Sequence, residues 1–238
     1  MTSPMLLELR QTDAFYGTAR ALQAVSLGLD REPLAIVGRN GMGKTTLCRA
    51  VMGLVRTAGS IRLDGREIAG LPPHRIARGG IGYVPQGRRM FPSLSVDEHL
   101  RVAERKGSAW SRERVYTLFP RLAERRGNGG TQLSGGEQQM LAIGRALMTG
   151  PRLLLMDEPT EGLAPTVIGT LVEGLRSLTR EGVAILLVEQ NLGVATALAD
   201  RILVMVNGAV AAEVTAQRLR SDEGLRRRYL GLHGATES

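Results

Sequence analysis

Three nearly unbroken apolar runs punctuate the chain: "LAIVG" (34–38), "LLLMD" (153–157) and "AILLVE" (184–189). A strand covered on both faces reads as continuous apolar sequence, so these runs predict parallel strands sandwiched between helices. Each is followed by a segment of helical pattern, "KTTLCRAVMGL", "APTVIGTLVEGLRSL" and "NLGVATALAD". Strand then helix, repeated, predicts an α/β fold with ligands gathered at the C-terminal strand ends. Pieces of antiparallel character flank this core. "MLLELRQTDAFYG" and "ALQAVSLGLD" form an N-terminal pair, while "SIRLDGREI" and "ILVMVNGAVAAEV" carry the Asp-Gly and Asn-Gly dipeptides of tight hairpin turns. Residues ~93–131 differ. "SVDEHLRVAERKG" opens with a capping box from Ser95 to Glu98, and "SRERVYTLFPRLAERR" continues in helical pattern before the glycine-rich "GNGGTQ". This segment reads as a helical insertion rather than a separately stable domain, and "EGLRRRYLGLHG" reads as a last helix.

Composition narrows the function classes. The 238 residues are 43% hydrophobic, enough for a packed core. One cysteine, Cys48, excludes an internal disulfide and fits a reducing compartment; it is expected as a small hydrophobe on the helix after the first strand. The start of the chain lacks the pattern of a secretion signal, and no run approaches the ~18–20 apolar residues that span a bilayer. Transmembrane work therefore falls to another chain. Net charge is +8, but the cations are dispersed and the chain holds only three Phe, four Tyr and one Trp. With so few stacking platforms nucleic acid is not expected as a partner, and a surface facing phospholipid headgroups fits the charge better.

The candidate chemistry begins at "GRNGMGKTT", which matches G-x-x-x-x-G-K-[ST] between a predicted strand and a predicted helix. Gly38, Gly41 and Gly43 let successive backbone N–H groups face one concavity, shared with Arg39, Asn40, Met42 and Thr46. Lys44 is placed to reach the β- and γ-phosphates, and the Thr45 hydroxyl to ligate Mg²⁺. "LLLMDEP" carries Asp157 to a strand end as a metal carboxylate, with Glu158 one position beyond as the group that accepts a proton from attacking water. The two motifs together point to a Mg-nucleotide hydrolase. A second turn of phosphate-binding character, Ser134-Gly135-Gly136 in "QLSGGEQQM", lies far along the chain from the first and opens another helix.

The stretch "LSGGEQQMLAIGRALMTGPRLLLMDEP" resembles the ATP-binding cassette (ABC) ATPases, and the likeness covers about residues 6–214. The resemblance implies a P-loop NTPase cassette of α/β class. It has a mixed-sheet core (about 1–92 and 140–214), an N-terminal antiparallel β part, a helical subdomain (about 93–139) and a C-terminal tail (215–238). It further implies that two cassettes pack head to tail around ATP and Mg²⁺. Ser134, Gly135, Gly136 and Glu137 of one chain would then meet the ATP held by the phosphate loop of the other. Tyr16 falls where the family stacks an aromatic on adenine. Gln86, in "YVPQGRRMFPSLSV", matches the glutamine loop that reaches Mg²⁺ or lytic water, and the residues after it border the groove that receives a permease helix.

Three positions depart from the family pattern. The signature reads LSGGE; Gln190 stands where many members have a switch histidine; and Ala164 stands where an aspartate is common. The histidines, His74, His99 and His233, all lie elsewhere. "SGGEQQMLAIGRALM", "VPQGRRMFPSLSV", "EGLAP" and "LLVEQN" together look like the ATPases of branched-chain amino acid importers, with urea and short-chain amide importers as the near alternative. The resemblance thus implies a second cassette, identical or related, two permease subunits, an extracytoplasmic solute-binding protein, and a peripheral position on the cytoplasmic face of the inner membrane. Soluble DNA-repair cassettes are disfavoured because no heptad region is present. GTPases are disfavoured because the guanine-reading Asn-Lys-x-Asp pattern is missing.

Overall fold

The computed structural model describes residues 5–230. Residues 231–238, with His233 and the end of the predicted last helix, lie outside the described residues.

Two sheets share the work. A four-stranded antiparallel sheet, in the order β2-β1-β4-β5, is built from β1 (Leu7–Tyr16), β2 (Ala19–Leu29), β4 (Arg56–Leu63) and β5 (Arg66–Glu67). The larger sheet follows the order β10-β9-β3-β8-β7-β6 and contains β3 (Leu34–Val37), β6 (Ile81–Val84), β7 (Leu153–Asp157), β8 (Ala184–Glu189), β9 (Arg201–Val206) and β10 (Ala209–Thr215). The three apolar runs are β3, β7 and β8, every residue of them buried, and all pair in parallel. Both hairpin dipeptides turn with positive φ, Asp64-Gly65 and Asn207-Gly208, as a type I′ turn demands.

The parallel part extends further than the apolar runs show. β6 pairs in parallel with β7, and β9 pairs in parallel with β3 while closing a hairpin with β10, which makes the sheet mixed. "IGYV" escapes the apolar pattern because it is a four-residue edge strand with a glycine and a half-buried Tyr83.

Helices cover both faces. α1 (Lys44–Val51) follows β3, α2 (Pro73–Arg78) precedes β6, and α7 (Pro165–Arg180) follows β7. α8 (Leu192–Leu198) follows β8, and α9 (Ala216–Ser221) and α10 (Glu223–Leu230) end the described chain. Between β6 and β7 lie α3 (Val96–Ala103), α4 (Arg112–Leu118), α5 (Pro120–Glu124), a single 3₁₀ turn at Gly130–Gln132, and α6 (Gly135–Met148). The Ser95–Glu98 capping box is present. The helix expected over "SRERVYTLFPRLAERR" is instead two, broken at Phe119-Pro120. Proline disfavours α conformation in the residue before it, and Phe119 adopts φ −129°.

Apolar packing joins the inserted helices to the sheet. Val96, Leu100, Val115, Phe119 and Leu122 share one buried cluster with α6, with Leu154 and Met156 of β7, and with Leu175 of α7. The opposite face of the sheet packs against α1 and the antiparallel sheet, and Cys48 is fully buried there as a small hydrophobe. α6 runs without a break through residues 139–140.

Candidate active site

The loops that leave β3 and β7 line a cleft of about 500 Å³, completed by Gln86 after β6, the Asn207-Gly208 turn and Arg20-Ala21 of β2. The loop after β3 wraps the N-terminus of α1. Gly41 and Gly43 carry φ of +80° and +99°, a region that side chains disfavour. Gly38 is needed for a different reason than the sequence suggested. Its φ is ordinary, but a Cβ there would sit 2.5 Å from the Met205 carbonyl oxygen of β9. The β9–β10 turn braces the loop from below, with Gly208 N–H donating to the Met42 oxygen at 2.9 Å. No side chain caps α1, so its first-turn N–H groups remain available to an anion, beside exposed Arg39 and Asn40.

Lys44 is 3% exposed and points back across this loop. Its Nζ donates to the carbonyl oxygens of Gly38 (2.8 Å) and Arg39 (3.0 Å) and pairs with Glu158 Oε1 at 2.9 Å. Glu158 holds φ +49°, a costly conformation for a side-chain-bearing residue, fixed by its N–H bond to the Val188 oxygen at 2.8 Å. Asp157, the last residue of β7, bonds the residue after the lysine. The Thr45 hydroxyl donates to its Oδ1 at 3.1 Å, while its buried Oδ2 has no partner among the described residues. Burial pushes the Asp157 pKa up to about 6; the Thr45 bond opposes that rise and the neighbouring Glu158 charge adds to it. An orphaned, buried carboxylate oxygen beside a hydroxyl is an oxygen donor set that fits Mg²⁺.

Gln86, just past β6, lines the same cleft. Its Nε2 donates to Glu161 Oε2 at 2.7 Å, and Arg88 donates to the Glu161 carbonyl oxygen at 3.0 Å. Glu161 and Arg88 therefore set the pose of Gln86, and neither was legible as a site residue. Tyr16 is 43% exposed, and Arg49 of α1 donates to its hydroxyl at 3.1 Å. Gln190 is exposed immediately after β8. Ahead of it, buried Glu189 ties the Gln190 loop to Thr160; a carboxylate ending a parallel strand, like Asp157, was the available signal.

The second turn is a true helix start. Ser134 caps α6: its Oγ accepts from Glu137 N–H at 3.3 Å, and Glu137 Oε2 accepts from Ser134 N–H at 2.8 Å. Glu137 therefore faces back into its own helix terminus, with Arg125 3.7 Å away. Burial raises its pKa, but the Ser134 hydrogen bonds and nearby arginines outweigh this and hold it below the usual carboxylate value. The box satisfies the cap and third-position donors. The N–H groups of Gly135 and Gly136 and the Ser134 hydroxyl proton are left for an external anion. Gly136 also has a packing role, since a Cβ there would lie 2.4 Å from Val167 Cγ1. None of Ser134–Glu137 lines the cleft that holds Lys44 and Glu158; one chain does not bring its two anion-binding turns together there.

A family model described as ABC transporter matches residues 22–161. The chain belongs to the ABC transporter family. It is an ATP-hydrolysing, nucleotide-binding member of that family. It is 43% identical over 95% of its length to the whole of BraG, a high-affinity branched-chain amino acid transport ATP-binding protein of Pseudomonas aeruginosa. It is 33% identical, over 91% of its length and 93% of the relative, to LptB of Haemophilus influenzae, a lipopolysaccharide export system ATP-binding protein. Among solved structures, a nucleotide-free ATP-binding cassette from an ABC transporter superposes with a TM-score of 0.82 at 25% identity. That match covers 96% of this chain and all of the other. Among the described residues no helix is long and apolar enough to cross a membrane.

Proposed function

We propose that this cassette is the ATPase subunit of a branched-chain amino acid importer and works at a head-to-tail interface with a second cassette. The solute class rests on the 43% identity to BraG across its entire length, well above the 33% to the export-system relative. The observation that carries the head-to-tail reading is the separation of the two anion-binding turns. Each is built and left with free donors, and the cleft of one does not include the other.

In this reading the P-loop residues Gly38–Thr46 and Lys44 hold the triphosphate, and Tyr16 packs on the adenine. Thr45, Asp157 and Gln86 hold Mg²⁺. The metal, when bound, neutralises phosphate charge and orients the β- and γ-oxygens. Glu158 takes a proton from attacking water, and Gln190 hydrogen-bonds the γ-phosphate from the far side. Ser134, Gly135 and Gly136 of the partner cassette donate to the same phosphate, with Glu137 keeping their helix terminus in shape. ATP bridges two chains, and hydrolysis removes the phosphate that both grip, so closure and opening follow the nucleotide. The segment 93–139 and the loop after Gln86 carry that movement to two permease subunits on the cytoplasmic face of the membrane. An extracytoplasmic binding protein delivers the solute to those permeases.

The test is sedimentation of the Glu158→Gln protein with saturating ATP and Mg²⁺, alone and mixed with its related cassette. The reading requires an ATP-dependent dimer in one of the two samples, and loss of that dimer on Ser134→Arg. Monomers throughout would overturn it. Uptake of labelled leucine, isoleucine and valine by cells carrying Glu158→Gln in place of the wild type tests the solute class; undiminished uptake would refute it.

A further inference from the structure

Glu189 ends β8 with 2% exposure, and ionised carboxylates are seldom buried so deeply without full hydrogen bonding. Four donors surround it. Oε1 accepts from the Thr160 N–H at 3.1 Å and from the Thr160 hydroxyl at 2.6 Å. Oε2 accepts from the N–H groups of Gln190 and Asn191, both at 3.1 Å. Burial lifts its pKa above the usual carboxylate value, and the four donors oppose the rise without cancelling it.

These contacts join two loops that the chain keeps apart. Thr160 belongs to the turn that follows Glu158, and Gln190 and Asn191 open the loop from β8 to α8. Asn191 then caps α8 by accepting from Val194 N–H at 3.2 Å, so the second loop is anchored at its far end as well. The backbone of Glu158 is fixed to the same strand through the Val188 oxygen. The end of β8 is therefore the shared footing of the proton-accepting carboxylate and the exposed glutamine.

We propose that Glu189 is a positioning residue that locks the Glu158 loop and the Gln190 loop into one unit, setting both side chains against the same phosphate. The assignment rests on the roles given above to Glu158 and Gln190. A carboxylate suits the task because all four of its partners donate. An amide in its place offers one accepting oxygen and turns an NH₂ group toward two donors. The loops then separate at whichever side meets the NH₂, while the phosphate loop, to which the Glu189 carboxylate makes no hydrogen bond, keeps its grip on ATP.

The test compares Glu189→Gln, Glu189→Asp and Glu158→Gln with the wild type, using steady-state hydrolysis and stoichiometric ATP binding. Glu189→Gln is expected to lower kcat at least tenfold, with KM for ATP within twofold and full binding stoichiometry. Glu189→Asp, which keeps the carboxylate, should recover part of the loss. Hydrolysis by Glu189→Gln within twofold of wild type would overturn the proposal. So would a fall in kcat that only mirrors a fall in binding-competent protein. If Glu189→Gln does not fold, Thr160→Val removes the hydroxyl donor alone, and it must lower kcat about threefold or more with KM unchanged. The Glu158→Gln arm separates the two ideas. Wild-type turnover there sinks the underlying reading of Glu158, whereas an inactive Glu158→Gln beside a fully active Glu189→Gln sinks only the locking role.

Discussion

Lys44 Nζ lies 2.9 Å from Glu158 Oε1, so the phosphate-loop lysine and the carboxylate that follows Asp157 form a nearly buried ion pair. With the Gly38 and Arg39 carbonyls, Glu158 completes three acceptors for the three donors of the ammonium. A phosphate that takes Lys44 must displace one of them. Glu158→Gln weakens that competitor and should tighten ATP binding about three- to tenfold, on the order of 1 kcal/mol, while hydrolysis falls at least a hundredfold. Titration with a fluorescent ATP analogue, beside a phosphate-release assay, checks both. Lys44→Ala should lose binding and turnover together, and unchanged turnover would remove Lys44 from its role.

Asp157 gives a pH-dependent prediction. Its pKa in the folded protein, about 6, exceeds the ordinary value of 3.8, so the folded chain holds this proton more tightly than the unfolded chain does. The charged form therefore burdens the fold above pH 6, and the burden fades as pH falls from 6 toward 3.8. Asp157→Asn removes it. Without nucleotide or Mg²⁺ the variant should melt above the wild type at pH 7.5, by an amount on the order of 2–3 kcal/mol less the cost of a new buried amide. That advantage should shrink toward pH 4.5, and stabilisation by Mg²⁺-ATP should be lost. A gap that does not change with pH would show that the carboxylate charge is not what costs stability.

Ala164 stands at the N-cap of α7 with no side-chain cap, ahead of Pro165. Ala164→Asp supplies the missing acceptor to the first-turn N–H groups and should add about 0.5–2 kcal/mol. For a chain of this size that is roughly 2–4 °C in Tm per kcal/mol, read by thermal denaturation. Ala164→Gly should give most of the same gain, because glycine leaves the first-turn N–H groups open to water.

Gly136 is constrained by its neighbour as well as by any ligand. Gly136→Ala places a methyl group 2.4 Å from Val167 Cγ1 and should cost about 1–3 kcal/mol in denaturant melts. Val167→Ala in the same chain should restore most of that stability. If ATP-dependent pairing stays lost in the stable double variant, the methyl group is blocking phosphate approach rather than disturbing packing.

Sequence legibility followed the range of each interaction. The strands β3, β7 and β8, the turn residues Asp64-Gly65 and Asn207-Gly208, the cap at Ser95 and the helix start at Ser134 were visible because each is set by residues within a few positions. The phosphate loop and Asp157-Glu158 were visible because their chemistry needs particular residues at fixed spacing. The hidden parts are contacts between distant segments. Gly38 is small because β9 passes beside it, Gln86 is turned by Glu161, and Glu189 is held by Thr160. The edge strand β6 was missed because Gly82 and Tyr83 interrupt its four-residue apolar run, and the break at Phe119 because one helical pattern spanned two helices.

α6 runs for 14 residues from the Ser134 cap to Met148, about 21 Å of unbroken backbone hydrogen bonding. Over that length an α-helix behaves as a strut. Whatever seizes its first turn displaces its last, where the Arg105 N–H is bonded to the Met148 carbonyl oxygen at 3.2 Å. The loop around Arg105, which takes no part in the cleft that holds Lys44 and Glu158, is thereby the place where a label would report the engagement of Ser134 from afar.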